Sequence, residues 1–181
     1  SQMIGNLIEE AREAISSLWD QINATPEQRR CFAPFYVHME SQLNDELLEK
    51  HEEYIVTQQS RLEQMKPILR LIERRAAVVR ERQEYDVLQK DSDSLKQRGA
   101  AMTRQLMEEE KMARRIKRDL PKLTEMLVEK LHEWKETHAE DFKFGGEVYL
   151  DVMAYQEEEW DEYKSVELQK KLKKKQEEKT S

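Results

Sequence analysis

The chain has 181 residues, 38% of them charged, with only 4 glycines, 4 prolines and one cysteine. So little glycine and proline argues against a turn-rich all-β protein, a collagen and a flexible linker. The mean hydropathy of −0.96 and a longest apolar run of Ala76-Ala77-Val78-Val79 fall far short of the ~20 apolar residues that span a bilayer.

No charged-then-apolar leader opens the sequence, so a non-secreted protein is expected. The lone Cys31 excludes an intramolecular disulfide framework and a cysteine-rich zinc site, and fits a reducing compartment. Glu, Lys, Leu, Gln, Arg and Met dominate, all residues whose unbranched stems lose little freedom in a helix. The expected fold class is all-α, an elongated antiparallel spectrin-like helical bundle with a thin core.

Ile4, Ile8, Ala11, Ile15, Leu18 and Ile22 recur at three and four, which predicts an amphipathic helix over 3–23. Thr25 then suits an N-cap and Pro26 the first position of a new short turn. Residues 26–40 read as a connector whose Phe32, Phe35 and Tyr36 plug one end of the bundle, with Cys31 packed among them. Ser41 is expected to cap the next helix.

From Ser41 to about Lys90, Leu48, Ile55, Leu62, Leu69 and Ala76 fall seven apart, with Met65, Ile72 and Val79 as a second row. A heptad seam of that length demands partner helices, and Pro67 within it is expected to kink it. Asp91-Ser92-Asp93-Ser94 and Gln97-Arg98-Gly99 form the expected turn. A third helix starts at Ala100 or Ala101, with core positions Ala113, Ile116, Leu120, Leu123, Leu127, Leu131 and Trp134, and a second kink at Pro121. The paired Gly145-Gly146 make a turn. A fourth helix runs from Glu147 to about Lys170, with Tyr149, Val152, Met153, Gln156, Trp160 and Tyr163 on one face. The expected division is a spectrin-like domain over 1–168 and a lysine-rich, frayed end over 169–181.

Nothing in the pattern supports catalysis. His132 and His138 do not share a helical face, and His51-Glu52-Glu53-Tyr54 lacks the second histidine of a zinc-protease helix. No glycine-rich loop cradles a phosphate, and no histidine stands as a base for Cys31. A non-enzyme without metal or cofactor is expected.

Charge is segregated. Residues 1–60 carry 11 acidic against 4 basic side chains, whereas 96–122 carry 9 basic against 4 acidic. Arg70, Arg74, Arg75, Arg80 and Arg82 lie on the preceding helix, brought alongside by the turn. Lys96, Arg98, Arg104, Lys111, Arg114, Arg115 and Arg118 are the candidate binding residues, several of them at three, four and seven spacings. Charge runs also arise merely to solvate a face through pairs such as Glu110 with Arg114. Against that, 111–118 holds too few acidic partners for its cations, and a focused basic field suits an acidic partner. Nucleic acid would favour aromatics interleaved with the cations, and a membrane would favour a free apolar face. Neither is present between Lys96 and Lys122, so no nucleic-acid and no membrane partner is expected.

Leu18-Trp19-Asp20-Gln21 and Pro26-Glu27-Gln28-Arg29-Arg30-Cys31-Phe32-Ala33-Pro34-Phe35 resemble the start of the spectrin-type domain of the conserved microtubule crosslinkers. That family comprises the fungal anaphase spindle elongation proteins, the animal protein regulators of cytokinesis and the plant microtubule-associated bundlers. Arg98-Gly99, Glu109-Glu110-Lys111 followed by Arg114, Leu120-Pro121-Lys122-Leu123, Glu133-Trp134, Tyr149-Leu150 and Glu159-Trp160 continue the likeness in order along nearly the whole chain. A fungal-type member is the nearest match in character.

The resemblance implies a microtubule-binding domain that contacts tubulin through its basic turn and the following helix. Arg98 and Lys111 carry over from the family motifs and Arg114 matches the basic residue that follows. Lys96, Arg104, Arg115 and Arg118 come from charge and spacing. The stretch Ala100–Met107 is roughly one helical turn longer than the family pattern. Also implied are a homodimer formed through a separate region, antiparallel crosslinking in the spindle midzone, and a cytoplasmic, cytoskeletal location. The resemblance further admits kinesin-type motors as partners and, in fungi, the nucleus. The rival reading is a spectrin-like scaffold that binds other proteins at Trp19 or Trp160 without touching tubulin.

Overall fold

The computed structural model describes residues 2–36, 42–94 and 99–180. It is all-α, 89% helical with almost no strand. The elements are α1 (Gln2–Gln21), α2 (Pro26–Arg30), a 3-10 turn at Ala33–Phe35, α3 (Asp45–Ser94), α4 (Ala100–His138), β1 (Lys143–Phe144), β2 (Glu147–Val148) and α5 (Tyr149–Thr180). They form two compact units, Ser1–Lys130 and Leu131–Ser181. No helix among the described residues is long and apolar enough to cross a membrane.

In the first unit α1 buries Ile8, Ala11, Ile15, Leu18 and Trp19, close to the stripe its spacing predicts. Thr25 accepts from the Gln28 backbone N–H while the Gln28 side chain accepts from the Thr25 N–H, a reciprocal capping box with Pro26 at the first turn. Arg12 meets His51 and Trp19 meets Tyr54, so α1 and α3 run in the same direction where they touch. The connector makes this possible by carrying the chain back. Its aromatics lie along α1 and α3: Phe32 stacks on Tyr54 at 4.1 Å and meets His51 edge-on at 5.0 Å. Tyr36 stacks on His51 at 5.9 Å, and Arg12 lies 4.8 Å from the Tyr36 ring centroid. Cys31 is exposed, not packed, because the capped turn points Phe32 inward instead.

The α3 cap is Asn44, whose side-chain oxygen accepts from the Leu47 N–H at 2.9 Å; Ser41 lies outside the described residues. Helix α3 continues through Pro67 and α4 through Pro121. The α3–α4 pair is an antiparallel hairpin, shown by contacts Arg75–Thr124, Glu81–Arg115 and Gln89–Glu109. Its seam keeps Met65 and Ile72 of the expected second row but not the first row. The row Leu48, Ile55, Leu62, Leu69, Ala76 is only half-buried, and the buried positions are Met65, Ile68, Leu71, Ile72, Arg75, Val78 and Arg82. Two arginines therefore sit in the interface. Arg75 is fully buried, and its Nε donates to Thr124 Oγ1 at 2.9 Å while Thr124 donates to the Leu120 carbonyl. Arg75 and Arg82 are thus removed from the basic surface to which the sequence assigned them.

In the second unit, Trp134 packs on His138 at 3.9 Å and edge-on to Phe142 at 5.2 Å. A two-residue hairpin joins β1 to β2 where the sequence suggested only a turn. Gly145 (φ 61°) and Gly146 (φ 81°) supply the two positive φ values that the right-twisted hairpin turn requires. Tyr149 and Met153 are buried. Helix α5 does not stop near Lys170 but runs to Thr180. Residues 169–180, expected to fray, are exposed but helical: no glycine or proline follows Gly146, and Glu167 precedes Lys171 at the favourable i,i+4 spacing.

Ala139 ends α4 with φ 54°, its N–H donating to the Lys135 carbonyl at 2.8 Å. That left-handed conformation crowds a Cβ, and glycine relieves it. Ala139→Gly is therefore expected to stabilise the second unit by about 0.5–1 kcal/mol, read as a slower amide exchange around 131–153. An unchanged or faster exchange would refute this.

Candidate functional site

Helix α4 buries Glu109, Leu120, Leu123 and Leu127 on one face. Arg104, Lys111, Arg114, Arg115 and Arg118 are all exposed. Arg104, Lys111 and Arg118 are spaced by seven, so they share one row, and at about 100° per residue that row lies some 140–180° from Glu109. Arg114 flanks the row on one side and Arg115 on the other. Four of the seven sequence-derived candidates, Arg104, Lys111, Arg114 and Arg118, thus face away from the hairpin core together, while Arg115 turns along the flank towards α3. The other two, Lys96 and Arg98, lie outside the described residues; Gly99, which follows them, has φ 78° and opens into α4.

The cations differ in how far they are already paired. Arg115 makes an ion pair with Glu81 across the hairpin, which holds its guanidinium above its ordinary pKa. Arg118 bonds Asp119 at 2.8 Å, and that bond pushes the Asp119 carboxyl down. Lys111 stands 3.9 Å from Glu108, a loose, fully solvated contact of small strength. Among the described residues Arg104 and Arg114 have no ion pair; the expected Glu110–Arg114 pair is not formed. The least compensated positive charge is therefore at Arg104, Lys111 and Arg114.

Two further exposed cations adjoin the candidate set, Lys122 from the basic stretch and Arg74 from the helix the sequence brings alongside. Lys122 follows Arg115 by seven and extends its flank of α4. Arg74 precedes Glu81 by seven, so it lies on the α3 flank that the Glu81–Arg115 pair sets beside α4. Spacing by seven from a residue that crosses the interface was the signal available for both. Beyond Lys122 the next exposed charges, Glu125 and Glu129, are acidic, followed by Lys130, which interrupts the patch. Among the described residues no group of His, Cys, Asp and Glu is placed to hold a metal ion.

A family model, microtubule associated protein (MAP65/ASE1 family), matches residues 1–181. The chain belongs to that family. This MAP65/ASE1 chain is 32% identical over 145 residues to anaphase spindle elongation protein 1 of Schizosaccharomyces pombe, covering 80% of the chain and 19% of the relative. It is 27% identical over 160 residues to human protein regulator of cytokinesis 1, covering 88% of the chain and 24% of the relative, and 26% identical to the mouse protein. The chain spans about a fifth to a quarter of the length of these curated relatives.

Trp19 and Trp160, the two docking residues of the rival scaffold reading, are placed differently in the MAP65/ASE1 chain. Trp19 is buried, and its Nε1–H donates to Tyr54 Oη at 2.9 Å. Trp160 is half-buried on α5, beside Tyr163 at 5.6 Å with Lys164 Nζ 5.5 Å from its ring centroid. A partner could reach only the second without opening the core.

Proposed function

We propose that residues 1–168 act as a spectrin-like microtubule-binding module of a non-catalytic protein that crosslinks antiparallel microtubules in the spindle midzone. The observation that carries this reading is the outward cation row Arg104, Lys111 and Arg118 with Arg114 beside it, in a chain of a microtubule-associated family. Lys96 and Arg98, which precede α4 in the sequence, belong to the same proposed contact. The outer surface and tails of tubulin are acidic, so binding proceeds by charge-assisted contacts to exposed carboxylates. The acidic α1 and the start of α3 carry Glu9, Glu10, Glu13, Glu46, Glu49, Glu52 and Glu53, all exposed, and are repelled by the same lattice. In the whole protein, a homodimer formed outside this region presents two modules to two microtubules, and kinesin-type motors and a nuclear stage in fungi belong to the same proposal.

Co-sedimentation with microtubules across a salt series tests it. Exposed charge contacts are screened over ~8–10 Å, so pelleting is expected to fall at least tenfold in affinity between 50 and 200 mM salt, roughly what release of a few contacts gives. Binding that ignores salt would refute the cation row as the contact. No pelleting at any salt by the folded chain would favour the scaffold reading, in which Trp160 docks another protein and tubulin is not touched.

A further inference from the structure

Glu109 is 5% exposed, although it stands in a run of three glutamates, Glu108-Glu109-Glu110, whose other two members face solvent. Its Oε2 accepts from Gln89 Nε2 of α3 at 3.1 Å, and its Oε1 accepts from Gln105 Nε2, one turn back on α4, at 3.4 Å. Among the described residues, fully buried apolar side chains are missing from this part of the hairpin. Val87 and Leu88 on α3 and Met102, Leu106 and Met107 on α4 are all exposed, and the two glutamines are only half-buried. A polar contact between the helices, not an apolar seam, marks the interface here.

We infer that Glu109 is a positioning residue, the pin that fixes the rotation of the start of α4 on α3, ahead of the seam that Leu120, Leu123 and Leu127 hold, and so selects which face of that start is presented to an acidic partner. The inference deepens the proposed microtubule contact and rests on it. The geometry is simple. With Glu109 turned inward, Arg104, Lys111, Arg114 and Arg118 all lie about 140–180° from it, on the outer face. Were Glu110 to take the Gln89 slot instead, α4 would turn by about 100°. Lys111 would then swing towards the side of the hairpin, while Glu108, already exposed, would turn to the outer face and Glu109 would become exposed. Three successive glutamates offer three rotations of similar chemistry, and only the burial of the middle one aligns the cation row. A buried polar group that sets register is the best-attested use of such a group.

The test compares Glu109→Leu, Glu109→Gln and the parent in a Cys31→Ser background. Spin labels at Val87→Cys and Met107→Cys, both exposed positions, read the register of the hairpin, and microtubule co-sedimentation reads binding. Glu109→Leu is expected to keep its helix content and to melt no lower, since an apolar residue replaces a buried charge. Its label-to-label distances should nonetheless broaden into more than one population, with affinity about tenfold weaker. Glu109→Gln still accepts from Gln89, and should restore one narrow distance and near-parental binding.

A single narrow distance in Glu109→Leu overturns the inference, as does a broadened distance with unchanged affinity. Failure of Glu109→Gln to rescue overturns it too, by showing that the charge itself, not the pin, is what matters. If the parent does not bind microtubules, the proposed function fails, and the distance measurement alone still decides whether Glu109 sets the register.

Discussion

Reversing Lys111 and Arg114 to glutamate should reduce microtubule affinity on the order of 100-fold while leaving the circular dichroism spectrum helical. Both side chains are exposed on the outer face of α4, and neither is needed to hold the hairpin: Lys111 has only a loose contact with Glu108 at 3.9 Å. Removing two attractive contacts and adding two repulsive ones against an acidic surface costs several kcal/mol, of which about 2.7 kcal/mol is already 100-fold. Arg98→Glu, two residues before α4 in the sequence, should weaken binding in the same direction. Arg115→Glu is a poorer probe, because it sets a second carboxylate against Glu81 and so disturbs the α3–α4 interface as well. The opposite change at the acidic edge of the patch gives an internal control. Glu125→Lys extends the cation row by one further heptad, about two turns, and should tighten binding several-fold at low salt, an effect that vanishes as salt rises. Normal pelleting by the double reversal, with no gain from Glu125→Lys, would remove α4 from the contact.

What the sequence made legible follows from where apolar periodicity is strong. The Ile8, Ala11, Ile15, Leu18 stripe gave α1, Thr25-Pro26 gave the start of α2, and Leu120, Leu123, Leu127, Leu131 and Trp134 gave the buried face of α4. The family motifs, read in order along the chain, gave the kind of protein. The α3 seam was harder. Arg75 and Arg82 occupy the heptad row of Ile68, and a pattern search that counts arginine as surface rotates the seam toward Leu69 and Ala76. Only the partner reveals the inward turn of Arg75, since its Nε needs Thr124, 49 residues away. Glu109 was hidden for the same reason: three identical neighbours carry no information about which is buried. Helix α5 was underestimated because a lysine run was read as solvated coil, whereas Lys and Glu at i,i+4 support a helix without any core.

Acidification should loosen the first unit through His51, with the loss beginning near pH 6.5. His51 is fully buried. Its Nδ1 bonds the Leu47 carbonyl at 2.9 Å, and because a carbonyl only accepts, Nδ1 carries the hydrogen. Its Nε2 then accepts from Arg12 Nε at 3.3 Å, so the ring is held neutral. Burial lowers its pKa, with the Leu47 bond opposing and the Arg12 charge adding to the shift. The groups facing it are Arg12 from α1, Phe32 and Tyr36 from the connector, and Tyr54 beside Phe32 on α3. Tyr36, its own hydroxyl pushed up chiefly by burial, stays neutral throughout, and among the described residues no carboxylate acts on the ring to balance an imidazolium.

A histidine with a depressed folded pKa binds its proton more readily when unfolded. Stability is therefore full above the unfolded value of about 6.5 and falls as pH drops towards the folded value, by at most about 1.4 kcal/mol per pH unit. His51→Gln can keep a donor towards Leu47 and an acceptor towards Arg12 without titrating. Amide exchange in α1 and in residues 45–60 should accelerate between pH 6.5 and 5 in the parent, after correction for intrinsic rates, and much less in His51→Gln, with the other three histidines common to both. Parallel pH profiles for the two proteins would show that the ring is not held neutral by its site.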